Sequence, residues 1–348
     1  MTPAPAVIST PSEKRELPKE TLLHIHALML RARLLEERLI RMQKQGDGYF
    51  WIGGPGEEAI NVPLGLLVHK GEGPEFDYLH LHYRSNAVAL AMGANPVDFM
   101  RQMKSTASDP FSRGRNFAGH VSIRKWNFVP VSSPIEVQYA MAPGSAIANK
   151  RAGGRGISIV TGGDAGTAEG EFASCMIWST RPGNELPVLM VVTNNTYGIS
   201  TPASTQHGER FISDRGKAFG MRTVTIDGYN PESVYFALQD VMEYVRTERK
   251  PYLLEVMVSR LYGHSSSSGA NFVADEFDCL PAFEKTLEQR GYLTRNEADE
   301  MRSAITQEFL EAAKSVRDEA MPLPEDAFTH VFEETNHVAR RSSTKGSN

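Results

Sequence analysis

The sequence predicts an α/β protein, a parallel sheet with helices on both faces. Two apolar, β-branched runs of strand length, residues 157–161 and 187–193, each end in a polar loop. Between them, residues 167–181 have apolar side chains at helical spacing, contain no proline and are closed by Pro182 and Gly183. Strands joined by such a helix run parallel, so both loops should lie at one sheet edge, where open α/β sheets bind ligands.

The chain is predicted to form one domain over residues 21–335, between a disordered arm (1–20) and a disordered tail (336–348). An amphipathic packing helix is expected over residues 21–45. Its apolar stripe contains Leu23, Ala27, Leu30 and Leu34. We find no internal repeat and no linker that would divide the domain.

The next segments have aromatic and histidine-rich patterns. Trp51 and Ile52 either line a pocket or pack in the core. Residues 77–84 alternate like a strand and would place His80 and His82 on one face. A His-x-His pair can bind a transition metal, but no third ligand is evident nearby.

Further elements follow the same alternation. A helix is predicted around residues 96–104, followed by a long irregular segment at 105–131, and loops of this length are usually functional or disordered. Small residues at Ala140, Gly144 and Ala148 either allow close approach of another helix or belong to an ordinary alanine-rich helix. Strands at 222–226 and 252–258 come next, and the last quarter is helical, with helices at 280–290 and from Thr294 to about Val316.

The loop after the first run, residues 162–166, is rich in glycine and opens a helix. Bare N–H groups and the positive end of a helix dipole suit a phosphate. Asp164 and an Asn of the Asn194-Asn195 pair offer hard oxygens to Mg²⁺. The predicted ligand is a magnesium diphosphate, although glycine and aspartate after a strand also occur in many doubly wound proteins without one.

Composition excludes several classes of protein. Lysine plus arginine (37) nearly balances aspartate plus glutamate (42), so nucleic-acid binding is not expected. Cys175 and Cys279 have neither zinc spacing nor a disulfide pattern, and Cys175 is expected to be a buried free thiol. No apolar run reaches membrane-spanning length and no signal or transit pattern is evident, so a cytoplasmic location without membrane partners is expected.

The stretch 162–201 resembles the thiamine-diphosphate motif, which begins Gly-Asp-Gly and ends Asn-Asn; Ala165 departs from it and requires a negative φ. The continuation, NNTYGIST, is similar to the α subunits of the 2-oxo acid dehydrogenases, above all the branched-chain members. The resemblance implies a thiamine-diphosphate-binding fold. It also implies that Asp164, the Asn195 side chain and the Tyr197 carbonyl hold Mg²⁺.

The same resemblance implies a wider cofactor site. Arg84 would contact the diphosphate, for which a permanently charged guanidinium is well suited. Ile135 would hold the cofactor in its bent conformation, whereas Val137 replaces a threonine that binds potassium in some relatives and puts that ion in doubt. The implied cofactor-binding residues are Tyr83, Arg84, Ser133, Ile135, Gly163, Asp164, Ala165, Gly166, Asn195, Tyr197, Ile199 and His264.

Two histidines are implied to be catalytic. His264 follows the pattern Arg-x-x-Gly-His-Ser on a serine-rich loop after a predicted strand, and a histidine can exchange protons near neutral pH. His120 occupies the place of a family histidine before the substrate channel. Without the resemblance, both would be interpreted as ordinary loop histidines.

The resemblance implies an α2β2 dehydrogenase that decarboxylates a 2-oxo acid and passes the acyl group to the lipoyl arm of a dihydrolipoyl acyltransferase. The β subunit would contribute the glutamate that activates the cofactor. Branched-chain substrates are favoured by the Ser133-Pro134-Ile135 segment and by residues 201–208. The alternatives are a pyruvate or acetoin dehydrogenase α subunit, a transketolase-like transferase, and a non-catalytic subunit that keeps only the fold.

Overall fold

The computed structural model describes residues 15–329 of the 348-residue chain. The predicted tail and residues 1–14 of the predicted arm lie outside this range. Near its start, Arg15 pairs with Asp240 (Nη1 to Oδ1, 2.7 Å) and the Leu17 N–H donates to Glu232 (2.9 Å). The first helix begins at Lys19, so the chain is already packed against its neighbours inside the segment predicted as an arm.

The strands form one parallel sheet and one small hairpin. They are β1 Tyr78–His80, β2 Ser158–Gly163, β3 Val188–Asn194, β4 Tyr197–Gly198, β5 Thr201–Pro202, β6 Arg222–Asp227 and β7 Tyr252–Met257. The sheet order is β1-β2-β3-β7-β6, with every neighbouring pair parallel, and β4 pairs antiparallel with β5. The predicted parallel sheet is confirmed.

Helices cover both faces of the sheet, as predicted. They are α1 Lys19–Lys44, α2 Glu58–Leu67, α3 Asn86–Ala91, α4 Pro96–Lys104, α5 Val137–Arg151, α6 Gly170–Ser179, α7 Asp214–Ala218, α8 Pro231–Glu248, α9 Cys279–Gln289 and α10 Arg295–Arg317. Asn95 and Asn230 cap α4 and α8, and Thr294 forms a capping box with Glu297 at the start of α10. Within residues 15–329, no helix is long and apolar enough to cross a membrane.

Strand β3 lies at the centre of the sheet, and its side chains enter two cores. Leu189 and Val191 pack into the larger core with α1, α2 and α8. Val188, Met190 and Val192 point the other way, into a core shared with α5 and α6. Because successive strand side chains alternate between faces and both faces are covered, the strand is a continuous apolar run.

The strand predicted over residues 77–84 is wrong beyond His80. The chain leaves the ladder there, and the His82 N–H donates to the Thr161 hydroxyl (3.1 Å). The two histidine rings have different partners: His80 Nε2 lies 3.0 Å from Ser145 Oγ, and His82 Nδ1 lies 2.8 Å from Thr161 Oγ1. Among the described residues, no three His, Cys, Asp or Glu side chains cluster in a way that could hold a metal ion.

The apolar stripe predicted for α1 is only partly right. Leu30 and Leu34 are buried, but Leu23 and Ala27 are half-buried, since the helix is enclosed on most of its sides. Charged side chains of the helix are therefore buried as well. Arg33 is paired with Glu58 (Nε to Oε1, 2.7 Å), which keeps its charge compensated inside the protein.

Candidate functional site

The loops that follow four neighbouring strands meet at one edge of the sheet. They come after β1, β2, β3 and β7 and surround a cavity of about 230 Å³. The shared edge that parallel topology predicts is therefore present. The cavity is lined by Tyr83, Arg84, Ile135, Gly163, Asp164, Ala165, Tyr197, Gly198, Ile199, Gln206 and His264.

Arg84 follows β1 and is held by neighbours on several sides. Its Nε lies 2.6 Å from Oε1 of Glu57, just before α2, and both side chains are buried. Its Nη1 donates to the Tyr83 hydroxyl (3.1 Å). A methyl group added at Gly163 would lie 2.4 Å from Nη2, so glycine leaves the space that the guanidinium fills. The sequence identifies Arg84 as a site residue, whereas Glu57 was not predicted.

Asp164 is the first residue after β2 and has an incompletely satisfied carboxylate. The side chain is buried, yet Oδ2 has no hydrogen-bond partner among residues 15–329. Burial raises the pKa of this carboxyl, and the nearby Arg84 charge opposes that shift. A buried carboxylate oxygen without a donor is costly, so this position suits a cation supplied from outside the chain.

Asn195 and Tyr197 follow β3. Asn195 is buried behind the cavity wall, where its Oδ1 accepts a hydrogen bond from the Tyr197 N–H (3.1 Å). This side-chain turn fixes the course of the backbone at Tyr197, whose ring lines the cavity. Asp164 and Tyr197 line the cavity and Asn195 does not, so metal binding by Asn195 and by the Tyr197 carbonyl stays a prediction.

The loop after β3 is strained and closely packed. Thr196 (φ 64°) and Ile199 (φ 55°) are β-branched residues in the left-handed region, which such residues rarely adopt. A methyl added at Gly198 would lie 2.7 Å from the Ala165 side chain, so this loop packs directly on the loop after β2. Strain of this kind is concentrated at functional sites, where surrounding structure holds it in place.

Ala165 has a negative φ, as its place in the motif requires. It begins a short 3₁₀ turn, Ala165–Ala168, and the α6 helix starts only at Gly170, later than predicted. Gly166 is buried and does not line the cavity; a methyl there would lie 1.8 Å from Oε1 of Glu136. Glu136 is a second residue that sequence reasoning missed, and burial raises its pKa to about 8 while Arg84 opposes the shift.

His264 stands over the cavity from the loop after β7. Its ring packs edge-on against Tyr83, with 5.9 Å between ring centroids. Burial, together with the positive charges of Arg84 and Arg260, lowers the pKa of His264 from 6.5 to about 4. The imidazole is therefore neutral at pH 7, so one ring nitrogen can donate a hydrogen bond and the other can accept one.

Arg260 is a third residue that sequence reasoning missed. Its guanidinium lies 5.0 Å over the Tyr197 ring. Its Nε and Nη1 are buried with no hydrogen-bond partner in the described part of the chain, and burial and Arg84 lower its pKa. The spacing Arg-x-x-Gly-His was the signal that could have found it. Arg84 and Arg260 are suited to bind an anion, and the unpaired oxygen of Asp164 is suited to bind a cation that bridges this anion to the protein.

His120 and Ser133 lie beside the cavity and do not line it. His120 is buried and its Nε2 lies 2.8 Å from Ser133 Oγ. Burial lowers the pKa of His120, against a smaller opposite effect of the Ala118 carbonyl. Ile135, two residues further on, lines the cavity and is half-exposed. The structure therefore joins His120 to the site through the 133–135 segment.

Trp51 and Ile52 are buried and do not line this cavity, so of their two predicted roles the structure shows the core role. They also anchor the serine-rich loop that follows His264. The Ser266 N–H donates to the Trp51 carbonyl (2.8 Å), and Ile52 forms a bridge with Ser265. The loop that carries His264 is thereby fixed to the core.

Comparison with known proteins assigns the chain to a family. Residues 26–325 match the family model described as "Dehydrogenase E1 component". A relative from Bacillus subtilis, "2-oxoisovalerate dehydrogenase subunit alpha", is 30% identical over 91% of this chain and 96% of its own length. The mitochondrial α subunit of the same name from Homo sapiens is 27% identical over 94% of this chain and 74% of its own length.

Proposed function

Because this chain belongs to the dehydrogenase E1 component family, we propose that it is the α subunit of a thiamine-diphosphate-dependent dehydrogenase of branched-chain 2-oxo acids. The family implies dependence on thiamine diphosphate, and the names of the relatives support an acid of the 2-oxoisovalerate type. The observation that carries the proposal is the buried, unpaired Asp164 oxygen in the same cavity as Arg84 and His264.

The residues of the cavity fit the cofactor and its metal. Arg84 would hold the diphosphate, and backbone N–H groups of residues 163–166 would offer it further donors. Asp164, the Asn195 amide oxygen and the Tyr197 carbonyl bind Mg²⁺, which prefers few protein oxygens together with phosphate. Tyr83, Ile135 and Ile199, which line the cavity, complete the cofactor side of the site, and Ser133 supports it from beside the cavity.

Bound thiamine diphosphate supplies the electron sink for decarboxylation. The protein contributes orientation and proton transfer. His264, neutral at pH 7, accepts and returns a proton at the reacting end of the cavity and assists acyl transfer to a lipoyl group. His120 orients Ser133, and through it the segment that contains Ile135.

A partner chain completes the site. The cavity, at about 230 Å³, is smaller than the roughly 300–1,000 Å³ that encloses a ligand of this size. We therefore place the remaining wall and the activating glutamate on a β subunit in an α2β2 assembly, with a lipoyl-bearing dihydrolipoyl acyltransferase as the acceptor. A cytoplasmic location stays a prediction.

The test is decarboxylation by the full chain, alone and with a candidate β subunit, in thiamine diphosphate and Mg²⁺. 3-Methyl-2-oxobutanoate is compared with pyruvate. We expect activity only in the mixture, faster with the branched acid, and lost in Asp164→Asn but kept in the control Asp214→Asn, whose exposed carboxylate pairs with Lys217. Activity of the chain alone would favour a transketolase-like enzyme, activity with pyruvate only would remove the substrate assignment, and an inactive mixture with bound cofactor would favour a non-catalytic subunit.

A further inference from the structure

A second cavity, of about 170 Å³, lies in the groove between α1 and α10 and shares no residue with the cofactor cavity. One wall comes from α1 and the other from α10. The lining residues are Leu34, Glu37, Arg38, Arg41, Arg302, Thr306 and Phe309. The groove is therefore dominated by cationic side chains on an apolar base.

Arg38 is the unusual residue of this groove. It is only 8% exposed, yet it forms no ion pair, hydrogen bond or cation–π contact within residues 15–329. Burial, and then the charge of Arg41, lowers its pKa. The stem of Arg38 is covered, but no nitrogen of its guanidinium is among the buried atoms that lack a partner, so the charged end is open to the groove. Arg33, on the same helix, is paired with Glu58, whereas Arg38 has no paired carboxylate.

The surrounding charges do not neutralise Arg38. Arg41 is exposed and forms no ion pair with any described residue, and Arg302 donates to Glu284 outside the groove (2.8 Å). Glu37 is the one carboxylate of the lining. Burial raises its pKa, against the charges of Arg33, Arg41 and Arg302. Even with Glu37 ionised and Arg302 paired with Glu284, Arg38 and Arg41 remain without a paired carboxylate among the described residues, so the groove keeps a net positive charge.

We propose that this groove is a binding site for a small oxyanion of the phosphate type, either free or as the phosphoryl group of a small metabolite. Three guanidinium groups present donors that match tetrahedral oxyanions, and Arg38 gains the partner that it lacks. The Thr306 hydroxyl adds a neutral donor at the edge, and buried Leu34 and Phe309 exclude water from the base. This site is separate from the cofactor site and does not depend on the proposed function.

Isothermal titration of the full chain with inorganic phosphate tests the site, with chloride at equal ionic strength as the reference. The variants Arg38→Met and Arg41→Met each remove one groove cation. Arg31→Met is the matched control, since Arg31 lies on the same helix, is not part of the lining and pairs with Glu308, with its guanidinium over the Phe309 ring. Arg84→Met removes the cation of the cofactor cavity, where phosphate can also bind.

We expect phosphate affinity to fall about tenfold in Arg38→Met and in Arg41→Met and to be unchanged in Arg31→Met, because a charge-assisted hydrogen bond is lost only in the first two. The response should persist in Arg84→Met. In chloride alone, Arg38→Met should unfold at the same or a higher temperature than the parent, since it removes the repulsion between Arg38 and Arg41. Phosphate should raise the unfolding temperature of the parent and of Arg31→Met by more than that of Arg38→Met. Phosphate affinities of Arg38→Met and Arg41→Met equal to that of the parent, or loss of binding in Arg84→Met alone, would overturn the site; failure of the decarboxylation assay would not.

Discussion

Arg84 and Glu57 form a buried ion pair, with 2.6 Å between Nε and Oε1, that joins the loop after β1 to the start of α2. The side chains are 6% and 1% exposed, so neither is free to turn. Nη1 is engaged by Tyr83, and Nη2 fits against Gly163. The cation that faces the cofactor cavity is thus oriented before any anion arrives, which reduces the ordering cost of binding.

The first prediction concerns this double role of Arg84. In Arg84→Lys, a single ammonium group has to serve both Glu57 and the diphosphate, whereas the planar guanidinium serves both at once. We expect the affinity for thiamine diphosphate to fall about tenfold or more, measured by fluorescence titration. Arg124→Lys, in an exposed pair with Glu72, should bind the cofactor normally. Equal affinities of the two variants would contradict the assigned role.

The second prediction concerns the two cations beside His264. Arg260→Met removes one of the two positive charges that, after burial, lower the pKa of the imidazole to about 4. The pKa of His264 should rise towards 6.5 in the variant, observed by NMR titration of its ring protons. Arg181→Met, which removes a guanidinium stacked on exposed Trp178, is the control. An unchanged His264 pKa in Arg260→Met would show that Arg260 does not act on the site.

The sequence predicts most of what depends on local pattern. The parallel sheet, the helices at 96–104 and from Thr294, and the convergence of the loops at Asp164 and Asn195 follow from periodicity, capping residues and strand order. The early end of β1 at His80 could not be predicted from the sequence pattern, because it depends on a hydrogen bond from His82 to Thr161 on another strand. The alternation of residues along 77–84 does not by itself predict such a contact.

The same limit explains the site residues that were missed. Glu57 acts through an ion pair with a residue that is remote in sequence, and Glu136 through its fit against Gly166. Arg260 is distinctive because its buried nitrogens lack partners, which is a property of the whole fold. Local sequence identifies groups that carry chemistry; the groups that orient them become visible only when distant segments pack together.

The third prediction separates chemistry from binding. His264→Ala should lower the rate of lipoyl acylation by about 10²–10⁴, the usual contribution of a positioned acid–base group. Cofactor affinity should fall by less than the acylation rate, because Arg84 and the metal ligands remain when the implied contact of His264 is lost. His24→Ala, on the exposed side of α1, should retain full activity. Unchanged acylation in His264→Ala would remove the catalytic assignment.

The fourth prediction follows from the raised pKa of Glu136. Its ordinary pKa of 4.5 becomes about 8 in the folded chain, so between these pH values the folded state holds a proton that the unfolded state has lost. The free energy of unfolding should therefore decrease as pH rises from 4.5 to 8. Glu136→Gln should remove this dependence. Between pH 5 and pH 8 the free energy of unfolding of the parent should therefore fall by roughly a few kcal/mol more than that of the variant. Denaturant unfolding at several pH values measures it.

The control for this measurement is Glu308→Gln. Glu308 is partly exposed and pairs with Arg31, and that hydrogen bond lowers its pKa, so it stays ionised across the same range. Its replacement should leave the slope between pH 5 and 8 unchanged. Parallel pH profiles for the parent and Glu136→Gln would mean that the carboxyl of Glu136 is ionised in the folded protein.

The fifth prediction concerns Gly56, which packs against the segment that carries Arg260. Its φ is +106°, and a methyl group there would lie 2.4 Å from the Ser259 carbonyl oxygen, a backbone atom that cannot turn away. The backbone is held at this point by a hydrogen bond from the Leu261 N–H to the Pro55 carbonyl (3.0 Å). Relief of the clash would have to displace the segment that carries Arg260.

We expect Gly56→Ala to lower the free energy of unfolding by at least about 3 kcal/mol, because backbone strain and the clash add. Gly46→Ala is the matched control, since Gly46 also has a positive φ (+83°) but has nothing within 4 Å of an added methyl, and it should cost only about 1 kcal/mol. The difference between the two isolates the contact with Ser259. Similar losses for both variants would show that an added methyl at Gly56 does not clash with the Ser259 carbonyl, which the structure places 2.4 Å from it. The turn at Gly56 would then not explain how the Arg260 segment is held.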